Sequence, residues 1–186
     1  MSQVTITVPV LVRQLDINNQ QQYHIAPIFF PNPVAVNRRY EESVSQFKKE
    51  VRDHFKGLKI GRANADYLLW YLFNPKMTHK ILKMDFVAGK QSVRGSFSLI
   101  YFELQGKFFA CLPGFNSYIF VLDDTDKTPK NIAFQTQVMI EKLLRIYKKN
   151  LGVTTLEMET YYATPGEFVT TLEFKVATEY SGFRFE

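Results

Sequence analysis

Cysteine is nearly absent from this sequence. The single residue of this type, Cys111, lies in the apolar run FFACLP. A lone cysteine forms neither an intrachain disulfide nor a thiolate metal cluster. We therefore expect a reducing compartment, with Cys111 acting as a small buried apolar side chain.

Long hydrophobic runs are also missing. The apolar segments fall far short of the roughly 18 residues that a membrane span needs. The first ten residues, MSQVTITVPV, do not show the basic and then apolar pattern of a signal peptide. The sequence therefore predicts a soluble cytoplasmic protein with no membrane partner.

No motif of catalysis, cofactor binding or metal binding is present. The sequence contains no G-x-S-x-G, no P-loop and no G-x-G-x-x-G. The three histidines, His24, His54 and His79, are not at the spacing of metal ligands. The acidic stretch at 123–126 lacks the further oxygen ligands, glycine and closing glutamate of a calcium loop. We predict no catalytic residue, no metal ligand and no cofactor, and hence a protein that is not an enzyme.

Aromatic residues, by contrast, are abundant. They make up 15% of the chain, within a hydrophobic fraction of 46%, which is ample for a packed core. The net charge of +5 is modest, and the basic residues are spread along the chain as short pairs among acidic neighbours. Nucleic-acid-binding proteins usually gather basic residues on one face. A nucleic acid partner is therefore an alternative and not the main expectation.

Hydrophobic periodicity predicts the element order ββ, αα, ββββ, α, ββ. Alternation indicates strands and a 3.6-residue period indicates helices. The predicted elements are strands at 4–12 and 23–30, a helix at 37–56 capped by Asn37, a short buried helix at 65–73, a four-strand meander from 80 to 122 with PGFN as one hairpin loop, a helix at 129–150 capped by Thr128, and strands at 154–163 and 167–178.

Runs of consecutive strands favour hairpins and antiparallel pairing. We therefore predict a single α+β domain over residues 1–186, mainly an antiparallel sheet with two longer helices and one short helix. Pro9 and Pro27 lie inside the first two predicted strands. Because proline cannot donate to a ladder, we expect the strand with Pro9 to lie at an edge or to carry a bulge, and the two strands to form a hairpin at the side of the sheet.

One strand-to-helix junction, FFPNPVAVNRRYEESVSQFKKEV, contains the candidate contact residues. Arg38 and Arg39 open the predicted helix, where the helix dipole is positive and basic residues are unfavourable. Arg38 could pair with Glu42 four residues later. Alternatively, the two arginines could form an anion or partner contact at the helix N-terminus.

Several segments together resemble the leading segment of bacterial Clp-type AAA+ ATPase chains. They are VPVLVRQL, YHIAPIFFPNPVAVNRRYEESVSQFKKEV, LLWYLFNP and FELQGKFFACLPGFNSYIFV. The resemblance spans most of the chain and includes no Walker motif, so it does not imply ATP hydrolysis here. It implies a non-catalytic domain, the N-terminal part of a longer chain, that recruits proteins to the ATPase or regulates it.

We therefore expect a protein-interaction or regulatory domain with a protein partner. Surplus aromatic residues and exposed strand edges, which can accept a partner strand, favour this function. Two alternatives remain open. One is a nucleic-acid-binding domain that uses Arg38, Arg39, Lys48, Lys49 and Lys59. The other is a small-molecule-sensing domain with a pocket lined by tyrosine and phenylalanine.

Overall fold

A computed structural model of the chain describes residues 2–29, 32–57 and 75–178. The chain forms two compact units, residues 1–74 with 164–186, and residues 75–163. Each unit contains a four-stranded antiparallel sheet, and the described residues include one α-helix in each unit. The structure confirms the predicted α+β class with a largely antiparallel architecture and two longer helices. The short helix predicted at 65–73 lies outside the described residues.

The first unit is a sheet of order β3-β2-β1-β8 with one helix. Its elements are β1 (Ser2–Ile17), β2 (Gln20–Pro27), β3 (Ala35–Asn37), α1 (Tyr40–Gly57) and β8 (Phe168–Thr178). The even-numbered residues of β1 share one face and are buried from Ile6 to Val12. They form a core with Phe47 and Val51 of α1, because a period of two in a strand and of about four in a helix each place apolar residues on one face.

The expectation that β1 lies at the side of a sheet is wrong. β1 is an inner strand, paired with β2 on one side and with β8 on the other. The Pro9 carbonyl accepts a hydrogen bond at 3.0 Å from the N–H of Ile28, a residue that lies just beyond the end of β2. This position explains why the inner strand tolerates a proline. The N and C=O of one strand residue point to the same neighbour. The missing N–H of Pro9 therefore faces β2 where that strand has ended.

The second unit is a meander of order β4-β5-β6-β7 followed by a helix. Its elements are β4 (Thr78–Ala88), β5 (Gln91–Leu104), β6 (Lys107–Leu112), β7 (Tyr118–Val121) and α2 (Pro129–Leu151). The predicted meander and helix are confirmed. The Thr128 side chain accepts a hydrogen bond from the Asn131 N–H, and Gly152 ends α2 at φ 66°, as the cap signals indicated.

The strand predicted at 154–163 is wrong. This segment is a loop that contains a 3₁₀ turn at Met158–Tyr161. Leu156 and Met158 are two residues apart, as the buried residues of a strand would be, and both are buried in the core of the second unit. The backbone of Leu156 bonds to a side chain instead of a strand, since Gln91 donates to its carbonyl at 2.9 Å and accepts from its N–H at 3.3 Å. The apolar positions were identified correctly, and their backbone pairing was not.

No helix among the described residues is long and apolar enough to cross a membrane.

Candidate functional site

Arg38 and Arg39 are both exposed, and they precede α1 directly. The helix begins at Tyr40, and the Ser43 N–H donates to the Arg39 carbonyl at 3.1 Å. Arg39 therefore occupies the cap position that we had assigned to Asn37. Asn37 instead lies in β3, opposite Tyr23, because the ladder with β2 continues further than the sequence indicated.

One of the two arginines pairs with an acidic neighbour, as the structural interpretation expected, although in a different pair from the example given by the sequence. Arg39 Nη1 lies 3.9 Å from Glu42 Oε1, at a spacing of three residues, and both side chains are more than half exposed. The expected pair was Arg38 with Glu42. An exposed pair at this distance contributes little to stability. The proposed role of the two arginines in binding stays a prediction.

Three polar residues meet on the other face of the first sheet. Arg13 of β1 lies opposite His24 of β2, and Arg13 Nε is 3.2 Å from Glu167 Oε2. That oxygen also accepts from the Thr164 N–H at 3.0 Å and from the Thr164 hydroxyl at 3.1 Å. The Glu167 side chain is only 1% exposed. The cluster fastens the start of β8 to β1, which is a structural role.

We expect His24 to make the first unit sensitive to acid. Its pKa is lowered by burial and, second, by the Arg13 guanidinium. Its Nδ1 atom is buried, and no group in the described residues hydrogen-bonds to it. Because the unfolded chain binds a proton near pH 6.5 and the folded chain only at lower pH, we expect the free energy of unfolding to fall as the pH drops below about 6.5.

The measurement is urea unfolding from pH 5 to 8. His24→Phe is expected to flatten the pH dependence around pH 6, because phenylalanine has no proton to bind. An unchanged slope in His24→Phe would assign the acid sensitivity to another group.

Cys111 is fully buried in β6. Burial raises the pKa of its thiol to about 12. Because the thiolate is the reactive form, this side chain is chemically inert in the folded protein. The position agrees with the expected small apolar role of Cys111.

A cleft of about 490 Å³ lies in the second unit. Three separate segments form it: the β6–β7 loop, the last turn of α2 and the 3₁₀ turn at Met158–Tyr161. Its described lining residues are Gly114, Asn116, Tyr147, Asn150, Leu151, Thr160 and Tyr161. We refer to it below as the tyrosine cleft.

The aromatic side of the tyrosine cleft is held in place from beneath by Phe115, which is 1% exposed. The Phe115 ring stacks on Tyr161 with centroids 4.7 Å apart, and it lies 6.1 Å from the ring of Tyr147. Tyr147 and Tyr161 are themselves 5.9 Å apart. Three mutually packed rings leave few rotamers open, so the two tyrosines present a fixed surface.

The backbone around the cleft is unusually constrained. A Cβ atom at Gly114 would lie 2.2 Å from the Tyr161 carbonyl oxygen, so only glycine allows the loop and the 3₁₀ turn to approach this closely. Asn116 and Ser117 both have φ 54°, a left-handed conformation that is rare for residues other than glycine. Strained backbone of this kind is concentrated at functional sites.

No formal charge is found among the described lining residues of the tyrosine cleft. Burial, followed by the neighbouring tyrosines 161 and 118, raises the pKa of Tyr147, so its phenol is protonated at neutral pH. The Thr160 hydroxyl donates to the Glu157 carbonyl at 2.8 Å. The cleft therefore offers apolar ring faces, phenols and the amides of Asn116 and Asn150, all of them neutral.

The described residues contain no cluster of metal ligands. Across residues 2–29, 32–57 and 75–178, no three His, Cys, Asp or Glu side chains are grouped so that they could hold a metal ion. The donors that line the tyrosine cleft are amides and hydroxyls, and the site chemistry is that of hydrogen bonding and stacking.

The PGFN stretch was predicted only as a hairpin loop, and the tyrosine cleft was not predicted from the sequence. The available signal was weak: a glycine followed by an aromatic residue and Asn-Ser, a combination that tolerates positive φ. Nothing local indicated that Tyr147 and Tyr161 would meet this loop.

The described residues therefore form an α+β protein with two antiparallel sheets, and the second unit carries an aromatic cleft with no formal charge among its described lining residues. Comparison with family models, with curated proteins and with solved structures gave no match. The resemblance to Clp-type chains therefore stays a prediction.

Proposed function

We propose that this chain is a non-catalytic protein-interaction domain of the cytoplasm. The observation that supports this most directly is the tyrosine cleft, a preformed surface of ring faces and amides. Stacking and hydrogen bonding to a partner need no titrating group. Acid–base catalysis, by contrast, needs a group whose pKa lies near the pH at which the enzyme works. Tyrosine and asparagine are both enriched in the binding loops of antibodies, where tyrosine supplies rigid contact area and asparagine supplies adaptable hydrogen bonds.

The sequence resemblance supplies the wider role. In a chain that resembles the leading segment of Clp-type ATPases, a protein-interaction domain would recruit substrate proteins to the motor or regulate it. The buried and unreactive Cys111 agrees with a reducing compartment.

The two alternatives differ in their support. For nucleic acid binding, Lys59 lies outside the described residues, and Lys48 Nζ lies 5.9 Å from the centre of the Phe174 ring, a contact within the protein that is typically worth about 0.5–1 kcal/mol. For small-molecule sensing, the volume of the tyrosine cleft is within the range of ligand sites. The second alternative therefore uses the same surface, and the experiment below separates it.

The test is selection of random linear peptides on the full 186-residue chain. We expect peptides to be enriched on the wild type and lost, by at least tenfold, on Asn150→Trp. Asn150 is exposed and lines the cleft, so an indole at this position would fill the cleft without disturbing the core.

Lys149→Trp is the matched control. Lys149 is an exposed neighbour on α2 that is not part of the described lining, so the same indole points elsewhere on the helix and enrichment should persist. No enrichment on the wild type would contradict the proposed function. Equal enrichment on both tryptophan variants would place the interaction on another surface.

A further inference from the structure

We infer that the tyrosine cleft takes an extended proline-rich segment of its protein partner. This inference rests on the proposed function and adds the chemical class of the ligand. Four properties of the cleft lead to it: neutrality, the fixed ring faces, the adjoining apolar surface and the amide donors.

Neutrality comes first. The described lining carries no charge at pH 7, and a charged ligand group would lose its hydration without gaining an opposite charge. An acidic, phosphorylated or basic segment finds no opposite charge among the described lining residues. The ligand that complements it is uncharged.

The ring faces indicate a ligand with flat apolar sides. Tyr147 and Tyr161 are held 5.9 Å apart by the Phe115 ring beneath them. Leu151, at the edge of the cleft, is 64% exposed and extends the apolar surface. Pyrrolidine rings pack against surfaces of this kind, as in other aromatic grooves that bind polyproline segments.

The polar groups of the cleft indicate a ligand rich in acceptors. The amide groups of Asn116 and Asn150 are at exposed positions and each offers two N–H donors. A proline residue has no N–H and keeps a free carbonyl, and the polyproline II helix forms no internal hydrogen bonds. Its carbonyls are therefore all available to amide donors.

The extended form of the ligand lowers the cost of binding. A polyproline segment is already in its bound conformation before it meets the protein, so it loses little conformational entropy. The cleft is equally preformed, because Gly114 and the stacked rings hold its walls. A shallow neutral surface can in this way bind a segment without a charged anchor.

The probe is a fluorescent peptide of ten prolines, titrated with the full chain and followed by fluorescence polarisation. A glycine–serine peptide of equal length and a neutral oligosaccharide are the comparison ligands. We expect binding of the proline peptide only. Asn150→Trp should weaken it at least tenfold, and Lys149→Trp should leave it within twofold.

Two milder variants test the individual groups. Asn150→Ala removes one amide donor and should weaken binding about two- to tenfold, the usual effect of one hydrogen bond. Tyr161→Phe keeps the ring face and should change binding less than Asn150→Ala, because the inferred contact is with the ring. Circular dichroism and thermal melts confirm that each variant is folded.

The outcomes separate this inference from the function it rests on. If the peptides selected at random bind in the cleft but contain no proline, the ligand class is wrong and the proposed function stands. Binding of the oligosaccharide in place of the peptide would overturn both, and the cleft would then be a carbohydrate site. Proline-peptide binding that survives Asn150→Trp would also overturn the inference.

Discussion

Phe115→Ala is expected to lower the free energy of unfolding by about 3–5 kcal/mol, the usual cost of emptying a buried phenylalanine site. The side chain is 1% exposed and contacts three other rings, those of Phe97, Tyr147 and Tyr161. Removing the ring leaves a cavity and also frees the two tyrosines of the cleft. We therefore expect a loss of peptide binding together with the loss of stability.

Urea unfolding measures the first effect, and the proline-peptide titration measures the second. Phe134→Ala is the matched control, because Phe134 lies on α2 with 64% of its surface exposed. That change should stay within about 0.5 kcal/mol. If Phe115→Ala lowers the free energy of unfolding by less than about 1 kcal/mol, the packing of Phe115 against Tyr147 and Tyr161 does not stabilise the second unit as we expect.

Arg13→Met is expected to destabilise the first unit by about 3 kcal/mol, because it removes a cation that pairs with the buried Glu167 carboxylate. The Glu167 side chain is 1% exposed and that of Arg13 is 20% exposed. Two of the remaining bonds to the carboxylate come from Thr164, and they do not replace a positive charge. Urea unfolding at pH 7 is again the measurement.

The double variant Arg13→Met/Glu167→Gln separates charge from packing. It should be more stable than Arg13→Met alone, because glutamine keeps an acceptor for the Thr164 N–H and carries no charge to desolvate. The exposed pair of Lys127 with Glu103 is the control, and Lys127→Met should cost at most about 1 kcal/mol. A double variant that is no more stable than Arg13→Met would show that the loss of stability comes from poor packing of the methionine side chain and not from the buried charge.

The meander and α2 of the second unit were predicted well from the sequence because their contacts are local, whereas the strand expected at 154–163 was not. β4 to β7 are joined by short connections, so alternation within each strand and glycine at the turns were sufficient. The start of α2 was equally clear, since Thr128 and Pro129 form a standard helix entry. Local chemistry decides elements of this kind.

The first unit was predicted less well because its sheet joins the two ends of the described chain. β1 pairs with β8 from Ser2 opposite Thr178 to Val12 opposite Phe168. Hydrophobic alternation gives the face that a strand buries, but it does not identify the partner strand. For the same reason Pro9 suggested a strand at the side of a sheet, whereas the tertiary arrangement places it just beyond the end of β2.

The amino-acid sequence was sufficient for the α+β class, the meander, both long helices and the burial of Cys111, since each depends on periodicity, caps and composition along a few neighbouring residues. The tertiary structure alone decided that β1 pairs with β8, that Arg39 and not Asn37 directly precedes α1, and where the tyrosine cleft forms. Gly114, Tyr147 and Tyr161 come from three segments, and they meet because the packing of Phe115 brings those segments together. Because these contacts join residues that are far apart in the sequence, no local sequence pattern predicts the cleft.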